Sequence, residues 1–238
     1  LNTPAMPNTI LVADYYRNVD ATDATTLRAT LHAAIDDHIK VPYTSGETDT
    51  WDVLNLADED PVDTTSILDV YKNAVYLKIT TGGDPYNREH SWPNSYGFPD
   101  PDTPANYPYS DCHHLFASDN PYNGHRGNKP YGTCSASCTE DATLLNHGVG
   151  GGSGAYPGNS NWYSTDTWET WNARRGDVAR AQLYLEVRYE GHTHSATGAA
   201  EPDLRLTDNT GLIVPGAASI AYMGRLAAIL AWHTQDPV

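Results

Sequence analysis

The 238-residue chain is 39% hydrophobic and 18% charged, an ordinary globular balance, and it is long enough to bury a full core. Its 14 Lys and Arg stand against 30 Asp and Glu, giving a net charge of −16 and a pI near 4.7; this speaks against the basic footprint of nucleic-acid binders unless salt or a bound cation screens the field. No apolar run approaches the roughly 18 residues of a membrane span, and three cysteines without a C-x-x-C pair exclude a disulfide scaffold and the usual zinc spacing.

Taken in order, the chain opens at Leu1 with neither Met nor a signal-peptide pattern, as a processed start would. The first 20 residues are irregular, with Pro4 and Pro7. Asp23 is placed to cap a helix running to about Ile39, with Leu27, Leu31, Ile35 and Ile39 on one face and Pro42 ending it. The polar stretch Thr44–Pro61 leaves room for a short strand through Trp51, Val53 and Leu54. Ser66–Ile79 alternates loosely in β-forming residues and predicts strand pairing, closed by a turn at Thr81–Pro85.

Tyr86 to Asn128 is the densest polar region. It gathers Arg88, Glu89, His90, Asp111, His113, His114, Asn123, Arg126 and Asn128, with Gly, Pro, Asn and Asp crowding between them. Such a concentration on loops between short apolar strands predicts a site rather than a core.

From Gly132 to Asn161 the chain is Gly- and Ser-rich. His147–Gly154 resembles a phosphate loop only in composition, since the Lys-Ser/Thr ending is absent. Cys134 and Cys138 are spaced to close a short bridge, leaving Cys112 over on a predicted strand. Trp162, Trp168 and Trp171 read as cap and packing residues. A buried helix is predicted from Gly176 to Tyr189, a strand or loop from Pro202 to Val214, and a last helix from Ser219 to Trp232 with Met223, Leu226, Ala227 and Leu230 inward. Arg174-Arg175 reads as a solvated helix start or a phosphate contact, and His192-x-His194 as an exposed loop ahead of a second metal site. Without repeats, long linkers or charge runs, residues 1–238 read as one domain of the α+β class.

The chemistry fits a phosphodiester hydrolase. Such an enzyme needs a base for water, a cation for phosphorane charge and donors for the phosphate. Histidine is the natural base at neutral pH. Mg²⁺ takes one or two protein oxygens and keeps several waters, which suits Glu89 and an asparagine amide. On a regular strand Glu89 and His90 face opposite sides, so both serve one site only if the backbone turns or bulges there. A helix from about Pro121 would put Asn123 and Arg126 on one face. Asn120 and Asn128 compete with Asn123 as the amide ligand.

Arg88-Glu89-His90-Ser91-Trp92-Pro93, Asp111-x-His113-His114-Leu115 and Asn123-Gly-His-Arg126-Gly-Asn128 together resemble the bacterial endonuclease I family of ββα-metal (His-Me finger) nucleases. Gly176–Arg180, Val187–Gly191 and Trp232–Val238 extend the resemblance to the end of the chain, in order. It implies a mixed, loop-rich domain with a ββα-metal core and His90 as the general base. It further implies Glu89 and Asn123 as ligands of one Mg²⁺, for which Mn²⁺ or Ca²⁺ could substitute in binding. Arg126, with Asn128, becomes a group that positions phosphate or braces the loop, and the transition-state cation is left open between Arg126, Arg88 and a residue the sequence does not place. Arg88, Asp111, His113, His114 and Asn128 become groups that brace the ligands or position phosphate, with His113 and His114 in the second strand. The implied activity is secreted, or periplasmic, non-specific endonucleolytic cleavage of DNA, with RNA open, by a monomer that contacts no membrane.

Two departures accompany this. Relatives that clamp phosphate with an Arg about twenty residues after the base have Asn106-Tyr107-Pro108-Tyr109 here instead. Many relatives also continue past this Gln-Asp-Pro-Val ending with a basic tail, so a shortened or processed end would explain part of the acidity. A rival from another class is an acidic secreted Ca²⁺- or carbohydrate-binding module without catalysis, suggested by the charge, six Trp and sixteen Tyr.

Overall fold

The computed structural model describes residues 12–81 and 83–238. The irregular start with Pro4 and Pro7, and Gly82 of the expected turn, lie outside the described residues. Two compact units divide the chain, 1–38 and 39–238.

The first unit carries α1 (Val12–Tyr15) and α2 (Ala24–Ile35). The Asp23 carboxylate accepts from the Thr25 and Thr26 amides at 2.9 Å, closing the orphan donors of the first turn as expected. The helix stops at Ile35, short of Ile39, because Asp36 is extended and Asp37 sits at φ 54°.

In the second unit the Trp51–Leu54 stretch, expected as a strand, is helical: α3 (Thr50–Ala57). Asp49 accepts from Trp51 N at 2.7 Å and Asp52 accepts from Asp49 N at 3.0 Å. That reciprocal cap, with Trp51 and Leu54 buried three residues apart, outweighs the β preference of Trp and Val. The expected pairing in 66–79 is a hairpin of β1 (Ser66–Leu68) and β2 (Val75–Leu77). Strands β3 (Tyr86–His90) and β4 (Leu115–Asp119) form an antiparallel pair, and α4 (Asn120–Arg126) follows directly. Trp51, Ile67, Tyr86 and Ala117 pack as a small core beside that pair.

The Gly-rich segment and the Trp region are more ordered than composition suggested. Strands β5 (Thr139–Asp141), β6 (Asn161–Tyr163) and β7 (Trp168–Glu169) make one antiparallel sheet, with Trp162, Trp168 and Trp171 all buried. Asn73 Nδ2 pins the loop between β5 and β6 by donating to the Leu144 and Val149 carbonyls, both at 3.0 Å. Cys134 and Cys138 are joined by a disulfide, and Cys112 is a free thiol in a turn, not on a strand.

Helix α5 (Arg175–Arg188) buries Val178, Ala179 and Leu185 in the larger core, where Ile229 and Trp232 of α6 (Leu226–Gln235) meet it. The two helices close tightly: a Cβ added to Gly176 would lie 1.9 Å from the Asp236 carbonyl oxygen. The last helix begins seven residues later than expected. Ile220–Met223 is instead β9, pairing in parallel with β8 (Asp203–Leu206), because Ala221 and Met223 alternate inward and Gly224 breaks the run. Ala227 and Leu230, expected inward, are exposed. The architecture is α+β. Among the described residues no helix is long and apolar enough to cross a membrane.

Candidate active site

The β3–β4 ladder is regular from Tyr86↔Asp119 to His90↔Leu115. Asp119 ends β4 and caps α4, accepting from Tyr122 N at 3.2 Å, with Pro121 in the first turn where its missing N–H costs nothing. The helix is therefore welded to the strand pair without a connecting loop. Alternation along β3 sends Asn87 and Glu89 toward α4 and Tyr71, and Arg88 and His90 toward Tyr43. No bulge brings Glu89 and His90 together. The backbone bends at Ser91, just past the strand, and both residues line one cleft of about 350 Å³ with Asn94, Asn123, Arg126 and Asn128.

His90 Nε2 lies 2.8 Å from the Tyr109 carbonyl oxygen. A carbonyl only accepts, so Nε2 carries the proton and Nδ1 keeps its lone pair. Tyr43 stacks on the imidazole at 5.6 Å between centroids. Burial above all, then the His114 imidazole beside it, pushes His90 down to about 3, so the ring is neutral at physiological pH. His114 is itself pushed down to about 4 by burial, and its Nε2 donates to the Pro108 carbonyl at 2.7 Å.

Glu89 is buried. Its Oε1 accepts from Tyr71 Oη at 2.8 Å and from Arg126 Nη1 at 2.7 Å, while Oε2 has no hydrogen-bond partner among the described residues. Burial raises the carboxyl, and Arg126 pulls it back. Asn123 Nδ2 donates to Asn87 Oδ1 at 2.5 Å, which fixes the amide and leaves its Oδ1 unengaged among the described residues. The cleft thus offers two hard oxygens, one carboxylate and one amide, a donor set that fits Mg²⁺ or a similar hard cation.

Of the two expectations for Arg126, its contacts match bracing of the chain after β3 and not a phosphate-facing cation. It is 0% exposed, ion-paired to Glu89, and it donates to the His90 carbonyl at 2.8 Å and to the Ser91 carbonyl. Its guanidinium lies over the Tyr131 ring at 4.6 Å. Against the pull of burial, the Glu89 carboxylate raises it above the usual arginine range. Arg88 is also committed. It stacks on Tyr43 at 3.4 Å, donates to Thr50 Oγ1 at 2.8 Å and binds the Tyr43 carbonyl.

His113 and His114 stand in the turn before β4 rather than on it. The two diverge. His114 is buried against His90, with ring centroids 5.4 Å apart, whereas the His113 side chain is 68% exposed and its Nδ1 meets Asp111 at 3.0 Å. That bond raises His113 above the usual histidine range. Asp111 also accepts from Tyr184 Oη at 3.1 Å and Tyr189 Oη at 2.9 Å, which ties the turn to α5. Asn128 lies exposed on the cleft rim.

Sequence reading missed Tyr43, Tyr71, Tyr109, Tyr131 and Asn87. The tyrosines come from distant segments, and nothing local marks them. Asn87 carried a signal, because it lies two residues before Glu89 and so shares its face of the strand.

Comparison with known proteins gives the family. Residues 23–238 match the family model Endonuclease I. The chain is 34% identical over 226 residues to an extracellular ribonuclease of Bacillus amyloliquefaciens, and 32% identical over the same length to one of Bacillus subtilis (strain 168). Each match covers 94% of this chain, which spans 66% of the length of each relative. No solved structure matches it. On a family match that runs across the whole cleft and nearly the whole chain, the chain belongs to the endonuclease I family.

Proposed function

We propose that this chain is a secreted, Mg²⁺-dependent endonuclease of the His-Me finger type, cutting nucleic acid by attack of water on phosphorus. The observation that carries this is the convergence on one cleft of a neutral imidazole and two hard oxygens, those of Glu89 and Asn123, whose Nδ1, Oε2 and Oδ1 have no hydrogen-bond partner among the described residues.

In this reading Nδ1 of His90 takes the proton of the attacking water, and the Tyr109 carbonyl holds the ring in the tautomer that can do so. Glu89 Oε2 and Asn123 Oδ1 would hold the cation, which when bound supplies positive charge against the phosphorane and the leaving oxygen. Arg126 positions Glu89 and the His90–Ser91 backbone and does not touch phosphate. Asn128, on the rim, offers the substrate a hydrogen-bonding amide. We take residues 1–238 as one nuclease domain acting as a monomer; the family match runs from residue 23 to the end, across both compact units.

The substrate is DNA or RNA, gripped by its backbone, since nothing resembles a base-reading helix. Because two relatives are named ribonucleases, RNA is among the substrates to try first. With a net charge of −16, steering toward a polyanion is weak, and low salt should bring no large rate advantage.

The test is nicking of plasmid, and cutting of linear duplex, single strands and RNA, by wild type and His90→Ala with Mg²⁺ and with excess EDTA. The expected result is metal-dependent cleavage that falls about 10²–10⁴-fold in folded His90→Ala. Equal activity of both would put the base elsewhere. Inactivity of both on every substrate would favour the binding module.

A further inference from the structure

Beside the catalytic cleft lies a second one of about 400 Å³, within the size range of small-ligand pockets, and the two share Asn128 on their common rim. We propose, building on the nuclease reading above, that this neighbouring cleft is a nucleotide subsite holding the residue of the substrate strand next to the phosphate being cut. Its walls carry what a nucleotide needs. Tyr96 and Ile213 offer apolar surface for a base, and Thr165, Thr210 and the Asn128 amide offer groups for sugar hydroxyls and base edges. Lys129 brings a cation, its Nζ donating to the His125 carbonyl at 2.5 Å and lying 5.4 Å from the Tyr163 ring centroid.

Asp166 also lines the cleft, with Arg225 at 3.7 Å from its exposed carboxylate. Lys129 and Arg225 are thus the cations set against that one carboxylate. The position matters as much as the composition. Asn128 and Lys129 directly follow Gly127 at the end of α4, so the helix that presents Asn123 leads straight into the second cleft. A strand whose scissile phosphate sits between His90 and Asn123 would reach this cleft through its next nucleotide. The cleft lined by Cys112, His113, Arg174, Asp177, Arg180 and Tyr184 shares no residue with the catalytic one, and its arginines are both paired to Asp177.

The experiment uses the full chain with a labelled single-stranded 10-mer, as oligodeoxynucleotide and as oligoribonucleotide of the same sequence. Kd is read by anisotropy in EDTA on the His90→Ala background, and kcat and KM are read with Mg²⁺ on the catalytically intact one. Thr210→Trp fills the cleft from an exposed turn, where it has no core to disrupt. Lys129→Ala removes the cation. Thr210→Trp should raise Kd and KM about tenfold on the preferred strand, with kcat within about twofold. Lys129→Ala should weaken binding and lower the slope of log Kd against log salt by about one phosphate contact. If wild type cuts and binds while both variants keep its Kd, KM and salt slope, the subsite is overturned and the nuclease reading stands. If wild type neither cuts nor binds either strand, both fall together.

Discussion

Asn87 and Asn123 are joined amide to amide between β3 and α4, Nδ2 of Asn123 donating to Oδ1 of Asn87 at 2.5 Å. The bond does more than pack helix on strand. It decides which end of the Asn123 amide turns to the cleft, and so whether an oxygen or an NH₂ is offered to a cation. Removing the acceptor in Asn87→Ala frees that amide to flip. The expected outcome is about 10–100-fold weaker Mg²⁺ activation, with activity recovered at saturating metal. A Mg²⁺ titration of cleavage reads this directly, and an unchanged half-saturation point would show that the amide is held by something else.

The Glu89–Arg126 pair is buried on both sides. Arg126→Met would leave the Glu89 carboxylate stranded and should cost about 3–5 kcal/mol in urea unfolding. The double variant Glu89→Gln/Arg126→Met should be markedly more stable than Arg126→Met alone, since no unpaired charge remains. Additive losses in the cycle would mean that the two side chains contribute separately and that the pair does not organise the cleft wall.

How much of this was legible beforehand differs by scale. Glu89, His90 and Asn123 stand out through the resemblance of short motifs to a known family, and such motifs are properties of a few consecutive residues; adjacency alone says only that Glu89 and His90 face opposite sides of a strand. What the chain does at Thr50–Ala57 and Ile220–Met223 was misread, for opposite reasons. In the first a capping box from Asp49 and Asp52 overrode strand-forming side chains. In the second a small apolar run looked helical until Gly224 and the Asp203–Leu206 partner strand drew it into a ladder. The environment of Arg126 was beyond reach, since its cage of Glu89, Tyr131 and two backbone carbonyls is assembled from separate stretches of chain.

Two enclosed carboxyls give the fold a pH dependence. Burial pushes Asp58 up to about 7 and Asp69 up to about 6, although each accepts a backbone N–H, Asp58 from Ala117 at 2.7 Å and Asp69 from Asp119 at 2.6 Å. Their folded values lie above the unfolded ones, so the folded state binds protons more tightly. The stability they contribute is fully present below about pH 4 and is lost as pH rises through 6 and 7, each tenfold difference in proton affinity being worth roughly 1.4 kcal/mol. Urea midpoints of wild type should therefore fall between pH 5 and 7.5 more steeply than those of Asp58→Asn, whose amide oxygen can still accept from Ala117. Parallel slopes in the two proteins would rule Asp58 out as the source.

Gly176 admits no side chain without parting α5 from the end of α6, since its absent Cβ would face the Asp236 carbonyl and Arg180 Nη1, 2.8 Å away. Gly176 N also donates to Asp236 Oδ2 at 2.9 Å, and Arg180 Nη1 to the Asp236 carbonyl at 2.7 Å. Gly176→Ala should cost about 1–3 kcal/mol through overpacking, measurable as a lowered urea midpoint with the cleavage chemistry intact. A neutral substitution would mean that the two helix ends part freely.

The partner of His90 Nε2 is a main-chain carbonyl. Every amino acid at position 109 presents the same oxygen, so the protonation pattern of the imidazole is indifferent to the identity of that side chain. Substitution there can alter the ring packed at 4.9 Å on His90, but not the acceptor that selects the tautomer. Evolution or design could thus remodel the aromatic packing on His90 while the imidazole keeps its Nδ1 lone pair. Only a change that re-routes the short helical turn at Pro108–Ser110 would reach it.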